Sequence, residues 1–403
     1  MTLDALRRPA RAERRARVAV AVLFFTNGAL FANLLPRYPQ IKADLQMGNA
    51  TYGLAVAAFP AGAIAAGLAA GILIRRLGSA RVAVASTLLT GAGILAAALA
   101  DSVALFAGAL FWAGAMDAIT DVAQNAHGLR VQRRYGRSII NSFHAIWSIG
   151  AVTGGSMAAG AIALGLHRGA HLAISAVVFA AAACVALRFC LPGLDTEQVA
   201  DADAADGRDP QHPAPRMPGS RTTCVLAALV LIATASTLVE DAGNSWAALY
   251  LSGSLHASAA LAASGYIALV GAQFVGRLAG DRLVDRFGQR AVARTGGLIA
   301  AAGMGIALAV PTVPGTVLGF AAAGLGVATL VPAAMHEADE LPGLKPGSGL
   351  TVVSWLMRLG FLLSPPVVGL VADAASLRVG LLVVPAAGIL VLSLAGVLQT
   401  RRR

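Results

Sequence analysis

Twelve apolar runs, each about 20 residues long, follow one another along this chain, and the short loops between them hold most of its charge. At a helical rise of about 1.5 Å per residue, a run of that length crosses the hydrocarbon of one bilayer. The runs fall at about 18–36, 51–74, 81–100, 104–127, 139–163 and 170–191, then at about 223–250, 260–280, 291–310, 314–335, 348–371 and 379–398. In lipid a backbone must satisfy its own polar groups, which selects helices here, since a β-barrel would show short alternating strands instead. Composition agrees: only 13% of residues are charged, about half the usual share, leaving too little polar surface to cover a water-soluble globule of this size. A cytosolic enzyme is excluded. The expected fold is an all-α membrane protein with 12 transmembrane helices in two six-helix bundles.

The expected division is a basic N-terminus at 1–17, a first bundle at 18–191, a linker at 192–222, a second bundle at 223–398 and a basic tail at 399–403. The linker holds Asp195, Glu197, Asp201, Asp203, Asp206 and Asp209, then Pro210, Pro213, Pro215 and Pro218. That composition reads as a disordered cytoplasmic segment.

A net charge of +11 raises the question of nucleic acid, and the placement of the arginines answers it. They cluster in alternate loops: Arg7, Arg8, Arg11, Arg14, Arg15 and Arg17; Arg75, Arg76 and Arg81; Arg130, Arg133, Arg134 and Arg137; Arg282, Arg286, Arg290 and Arg294; and Arg401 to Arg403. The positive-inside rule then puts those loops and both termini in the cytoplasm, and no nucleic-acid partner is expected. Cys184, Cys190 and Cys224 are odd in number and lack paired spacing, so they read as small packing residues. The run after the basic start is long and is followed by many others, so it reads as a retained helix and not a cleaved signal. Arginine dominates over lysine, which occurs only at Lys42 and Lys345, as in a GC-rich bacterial genome. The location expected is a bacterial inner membrane. No GxxxxGK[ST], HExxH, GxSxG or clustered cysteine–histidine set occurs, which argues against an ATP-driven pump, a membrane protease or an esterase. Neither cofactor nor metal is expected.

Glycines recur at an offset of 210 positions: Gly78 with Gly288, Gly114 with Gly324, and Gly150 with Gly360. The loops around the first pair agree further, Arg75-Arg76-Leu77-Gly78-Ser79-Ala80-Arg81 against Asp285-Arg286-Phe287-Gly288-Gln289-Arg290. This points to a 6+6 internal repeat, a common plan among carriers.

The segment Gly280-Asp281-Arg282-Leu283-Val284-Asp285-Arg286-Phe287-Gly288-Gln289-Arg290 resembles the loop signature of the major facilitator superfamily, and helix count and linker resemble it over the whole chain. That resemblance implies alternating access. It also implies a cytoplasmic gate, here Asp285, Arg286 and Arg290, to which Arg277 and Asp281 near the inner end of helix eight are added. In the first half Arg75 stands where the aspartate is expected. Asn125-Ala126-His127, Ser142-Phe143-His144-Ala145-Ile146-Trp147, Glu240-Asp241-Ala242-Gly243-Asn244-Ser245-Trp246 and Ser364-Pro365-Pro366-Val367-Val368-Gly369 together look like the bacterial rhizopine (cyclitol) transporter-like and sugar-permease-related subgroup. The proline and the mid-helix arginine of the superfamily's drug exporters are missing from helices five and four.

Charged side chains within apolar runs are costly and mark function. Asp117 and Asp121 lie one helical turn apart on one face of helix four; each is a candidate proton carrier, or a partner of Arg130 or Arg133. Helix seven presents Glu240, a third candidate for proton coupling, with Asn244 on the same stripe, and Gly243 is expected to break the helix there. Asp241 is read as hydrated at the external interface. Arg358 falls near the middle of helix eleven, where a guanidinium needs a carboxylate partner or an anionic group on the solute. Asn27, His144, Trp147, Tyr266, Gln273 and Trp355 complete the expected substrate-binding set, with packing or interface anchoring as the other reading of both tryptophans. The expected function is proton-coupled symport, by a monomer, of a small polar solute such as a sugar, cyclitol or small carboxylate-bearing metabolite. The alternatives are a proton-coupled exporter of a drug or metabolite, and a transport-like sensor or lipid-handling protein.

Overall fold

The computed structural model describes residues 11–67, 69–136, 139–194, 220–342, 344 and 348–399, without the side chains of Asn141 and Asp281. The acidic and proline-rich part of the expected linker and the tail arginines Arg401 to Arg403 lie outside the described residues.

Twelve helices are long and apolar enough to cross a membrane. In chain order they are α1 (Arg11–Asp44), α2 (Asn49–Ala66), α3 (Ser79–Leu99), α4 (Val103–Tyr135), α5 (Ser142–Ala163), α6 (Arg168–Leu187), α7 (Ser220–Ser254), α8 (Ala259–Gly280), α9 (Gln289–Ala309), α10 (Val313–Asp339), α11 (Ser348–Ala374) and α12 (Leu377–Val397). Leu54, Ile306, Leu318 and Leu370 are each more than 60% exposed, an apolar exterior suited to lipid and not to water. Ser102, Ser258, Thr312 and Ser376 start α4, α8, α10 and α12 by accepting a hydrogen bond from a backbone N–H in the first turn, as expected of N-cap hydroxyls.

The internal repeat is visible atom by atom. Arg168 Nε donates to the Ala98 carbonyl at 2.6 Å, and 210 positions later Arg378 Nε donates to the Leu308 carbonyl at 2.6 Å. Each bond ties the start of one helix to the end of an earlier one. Gly78 and Gly288 precede α3 and α9 with φ of 85° and 83°, a region closed to most side chains. A Cβ on Gly114 would stand 2.0 Å from the Phe59 carbonyl oxygen, and one on Gly324 would stand 2.1 Å from that of Leu269. Both pairs again differ by 210, so glycine at these places is what lets two helix backbones touch.

The chain resolves into two compact units. The first comprises the described parts of Met1–Leu34, Ala58–Met157 and Gly165–Pro213, and the second those of Leu35–Ala57, Ala158–Leu164 and Ala214–Arg403. The boundaries at Leu34 and Ala57 coincide with departures from regular helix. A 3-10 turn occupies Leu35–Arg37 and a single turn residue stands at Ala57, beside Pro36, Pro39 and Pro60, whose missing N–H groups favour such breaks.

Packing in both units relies on small residues, as lipid removes the usual hydrophobic drive for helices to associate. In the first unit α1 and α5 meet through Gly28, Gly150 and Gly154, whose added Cβ atoms would lie 2.2 to 2.3 Å from the carbonyl oxygens of Trp147, Phe25 and Ala29. Phe24 and Phe143 stack beside them with centroids 5.4 Å apart. In the second unit α7 runs unbroken as α-helix from Ser220 to Leu249, closing in a π-helical turn at Tyr250–Ser254. The expected break at Gly243 is therefore absent. That glycine instead makes room for Leu269, whose Cδ1 would lie 2.3 Å from an added Cβ. The interruption falls in α11, at Met357, whose carbonyl accepts a hydrogen bond from Thr237 Oγ1 at 2.9 Å.

Candidate functional site

In each unit the sequence-predicted polar side chains include a cluster at crossing depth. In the first the hub is Asn27 of α1, 94% buried. Its Nδ2 donates to Asp117 Oδ1 of α4 at 2.7 Å, while its Oδ1 accepts from Trp147 Nε1 of α5 at 2.8 Å and from Gln124 Nε2 at 3.4 Å. The close α1–α5 approach through Gly28 is what brings the indole within reach. Asp121, one turn below Asp117, accepts from Asn125 Nδ2 at 3.0 Å. Asn27, Asp117, Asp121 and Trp147, picked out separately in the sequence, are thus linked in one network through Gln124. His144 lies on the same helix as Trp147, with its ring edge-on to Phe24 at 5.2 Å. Arg130 donates to the carbonyls of Pro192 and Gly193 at 2.7 and 3.2 Å, which closes the end of α6.

In the second unit Glu240 of α7 is the centre. Its Oε2 accepts from Gln273 Nε2 at 2.8 Å and has the Arg277 guanidinium at 3.9 Å. Tyr266, Gln273 and Arg277 are spaced by seven and four residues along one face of α8, and Tyr266 is buried. Arg277, expected among the gate residues, stands with Glu240 because it continues the Gln273 face. Asn244 is half-buried one turn beyond Glu240, and Trp355 is 56% exposed on α11.

Arg358 begins the helical stretch after the Met357 break and is half-buried. It has no hydrogen bond or ion pair with any of the described residues, so the expected alternative of a permanent pair with an acid of the chain does not hold among them. Its neighbour Met357 is the residue bound by Thr237, one turn before Glu240.

The loop residues expected to form a gate are dispersed. Asp285 and Arg286 are exposed, with Arg286 over the Phe287 ring at 5.4 Å. Arg290 Nε donates to the Leu398 carbonyl at 3.0 Å, fastening the end of α12. The Asp281 side chain lies outside the described residues.

Two buried groups escaped the sequence reading. Gln124 joins the Asn27 network although glutamine carries no charge to draw notice; its spacing of seven from Asp117 was the available signal. Asp241 is 6% exposed, so its expected hydration at the interface is incorrect. Tyr52 and Tyr38, about 190 and 200 positions away in sequence, cover it, a fact that no local pattern contains. Among the described residues no group of three or more histidines, cysteines or acids could hold a metal ion. Burial pushes the Cys190 thiol up to about 12, which keeps it unreactive.

Twelve apolar helices with an internal repeat and buried polar clusters define a multi-pass membrane carrier. Residues 20–282 match the model of the Major Facilitator Superfamily, and the chain belongs to that family. It is 28% identical to "Membrane protein MosC" of Rhizobium meliloti over 374 residues, 93% of this chain and 88% of that protein. It is 30% identical over 380 residues to "Uncharacterized transporter y4wD" of Sinorhizobium fredii, covering 94% of this chain and 97% of the relative. Among solved structures, the nucleoside transporter NupG superposes with a TM-score of 0.71 at 12% identity, over 96% of this chain and 99% of that one. A D-xylose-proton symporter does so with a TM-score of 0.66 at 15% identity, over 94% of this chain and 96% of that one.

Proposed function

We propose that this carrier imports a small polar solute bearing a carboxylate, driven by symport of protons. Arg358 carries the reading. A half-buried guanidinium without a partner among the described residues is costly inside a membrane protein, and an anionic group on the solute would supply the bidentate hydrogen bonds it lacks. The amides, indole and phenol of Asn244, Gln273, Asn27, Trp147 and Tyr266 suit the hydroxyl groups of a sugar acid or a cyclitol derivative. Asp117, Asp121 and Glu240 are the carboxyls assigned to proton coupling. They are hydrogen-bonded to neutral amides, which can serve a carboxyl in either protonation state, as a proton carrier requires.

The membrane is taken to be the bacterial inner membrane, with the arginine-rich loops and both termini facing the cytoplasm. The test is solute-driven proton uptake in proteoliposomes. Inward movement of protons with the solute is expected, together with loss of coupling in at least one of Asp117→Asn and Glu240→Gln. Unchanged coupling in both variants removes the assignment, and protons leaving against the solute would make the protein an exporter.

A further inference from the structure

On the flank of the second unit, between α9 and α12, lies a groove of about 470 Å³ lined by Arg294, Thr295, Leu298 and Leu392. Small-molecule sites usually hold about 300–1,000 Å³, so the size suits a bound molecule. Two contacts fix the helices on either side of it. At the arginine-rich end, Arg290 Nε donates to the Leu398 carbonyl at 3.0 Å and the Arg290 N–H to that of Gln399 at 3.1 Å, which ties the start of α9 to the end of α12. Further in, Gly297 and Gly388 bring the backbones together, since added Cβ atoms would lie 2.8 Å from the Gly388 carbonyl oxygen and 2.6 Å from that of Gly297. Arg294 and Thr295 stand between these two levels on α9, and Leu392 does so on α12.

The polar groups of the groove are unused within the chain. Arg294 is exposed and makes no hydrogen bond or ion pair with any of the described residues. No acid lines the groove among them. Thr295 is also without a partner there, although a helical hydroxyl often bonds back to the carbonyl four residues earlier, as Thr153 does to Ile149 and Ser393 to Ile389 at 2.7 and 2.9 Å. Past this polar end the surface turns apolar: Leu298 and Ile306 on α9 and Ile389 and Leu392 on α12 are all exposed. Arg294 follows the start of α9 at Gln289 by about 8 Å along the helix axis, and its flexible stem lets the guanidinium reach the level of lipid phosphates. At the offset of 210 the first half has Val84, Ala85 and Leu88 in place of Arg294, Thr295 and Leu298, and Thr87 and Val178 in place of Gly297 and Gly388. The cation and the glycine contact beside it therefore belong to one half and are not demanded by the repeated scaffold.

We propose that this groove is a binding site for an anionic phospholipid, whose phosphate sits on the Arg294 guanidinium and the Thr295 hydroxyl while an acyl chain lies along Leu298 and Leu392 toward Ile306 and Ile389. A phosphate oxygen pair can take both guanidinium N–H groups in bidentate fashion and accept from the hydroxyl as well. A headgroup with net negative charge complements a groove that offers a cation and, among the described residues, no acid. The ammonium of a zwitterionic headgroup would find no carboxylate. With the arginine-rich loops facing the cytoplasm, the site opens to the leaflet in which anionic lipids and basic pockets meet. The inference stands on the membrane fold and makes no use of the transport reading.

The test is native mass spectrometry of the full chain in detergent, titrated with phosphatidylglycerol or with phosphatidylcholine of the same acyl chains. The wild type should bind the first phosphatidylglycerol about tenfold or more tightly than the first phosphatidylcholine, the factor that a hydrogen bond to a charged group supplies. Arg294→Gln should bring the two lipids to equal affinity. Arg76→Gln removes an exposed arginine of the first unit and should leave the preference intact, which separates a site from the general attraction of a basic protein. Leu298→Trp, which fills the groove and keeps the guanidinium, should weaken both lipids. Equal binding of the two lipids by the wild type, a preference that survives in Arg294→Gln, or an equal fall in Arg76→Gln overturns the proposal. So does a wild-type dimer that Leu298→Trp disperses, since a second copy would then occupy the groove. Should Arg294→Gln fail to fold, an unchanged phosphatidylglycerol affinity in Leu298→Trp decides against the site.

Discussion

Replacing Asn27 with alanine should unfasten α1 from both α4 and α5. The carboxamide makes two short interhelical hydrogen bonds, to Asp117 at 2.7 Å and from Trp147 at 2.8 Å. The third contact, from Gln124 at 3.4 Å, is too long to add much. Interhelical hydrogen bonds in membrane proteins contribute about 0.6 kcal/mol on average and at most about 1.7, so the two together place the loss at about 1–3 kcal/mol. Trp147→Phe keeps an aromatic ring and removes the indole N–H, which allows the bond to be isolated. A cycle of Asn27→Ala, Trp147→Phe and the double variant, read by equilibrium unfolding in mixed micelles, should give a coupling of about 0.6–1.7 kcal/mol. A coupling below about 0.3 kcal/mol is what independent sites show, and would refute the claim that Asn27 organises this cluster.

Two further outcomes follow from the internal repeat. Gly114→Ala and Gly324→Ala should each cost about 1–3 kcal/mol, because the added Cβ forces two helices apart, whereas Gly108→Ala should be neutral or mildly stabilising. No atom lies within 4 Å of a Cβ placed at Gly108; thermal unfolding in detergent compares the three, and equal effects would remove the packing argument. Arg168→Gln and Arg378→Gln should destabilise by similar amounts, about 0.5–1.5 kcal/mol each, since each deletes the same hydrogen bond to a helix-end carbonyl. A large difference between them in the same assay would mean that the two bonds are not equivalent.

Much of the fold was legible because lipid simplifies the code: a run of about 20 apolar residues has one stable outcome. The offset of 210 was legible from glycines alone, since the residue that permits backbone contact is itself the sequence mark. Depth in the apolar runs singled out Asn27, Asp117, Trp147, Glu240 and Gln273 one by one, but which of them touch was not legible. What could not be read was decided by distant contacts. Gly243 looked like a helix breaker and proved to be a seat for Leu269. Arg277 looked like part of a loop gate, but the face of α8 carries it to Glu240. Asp241 looked hydrated because its cover, Tyr38 and Tyr52, comes from the opposite end of the sequence. Asp373 accepts a hydrogen bond from Asn49, 324 residues away, and nothing near either one signals the bond.

Arg358 provides the most direct test of the transport reading. Sugar acids and cyclitol carboxylates should be compared with their neutral alcohols for binding to the purified wild type and to Arg358→Gln, by calorimetry. Loss of a hydrogen bond to a charged group is worth about 1.5–3 kcal/mol, or about 10- to 150-fold in affinity. The wild type should therefore prefer an acid over its neutral counterpart by about that factor, and Arg358→Gln should bind the two alike. Equal binding of acid and alcohol by the wild type, or a preference that survives in Arg358→Gln, would contradict the assignment of Arg358 to the solute.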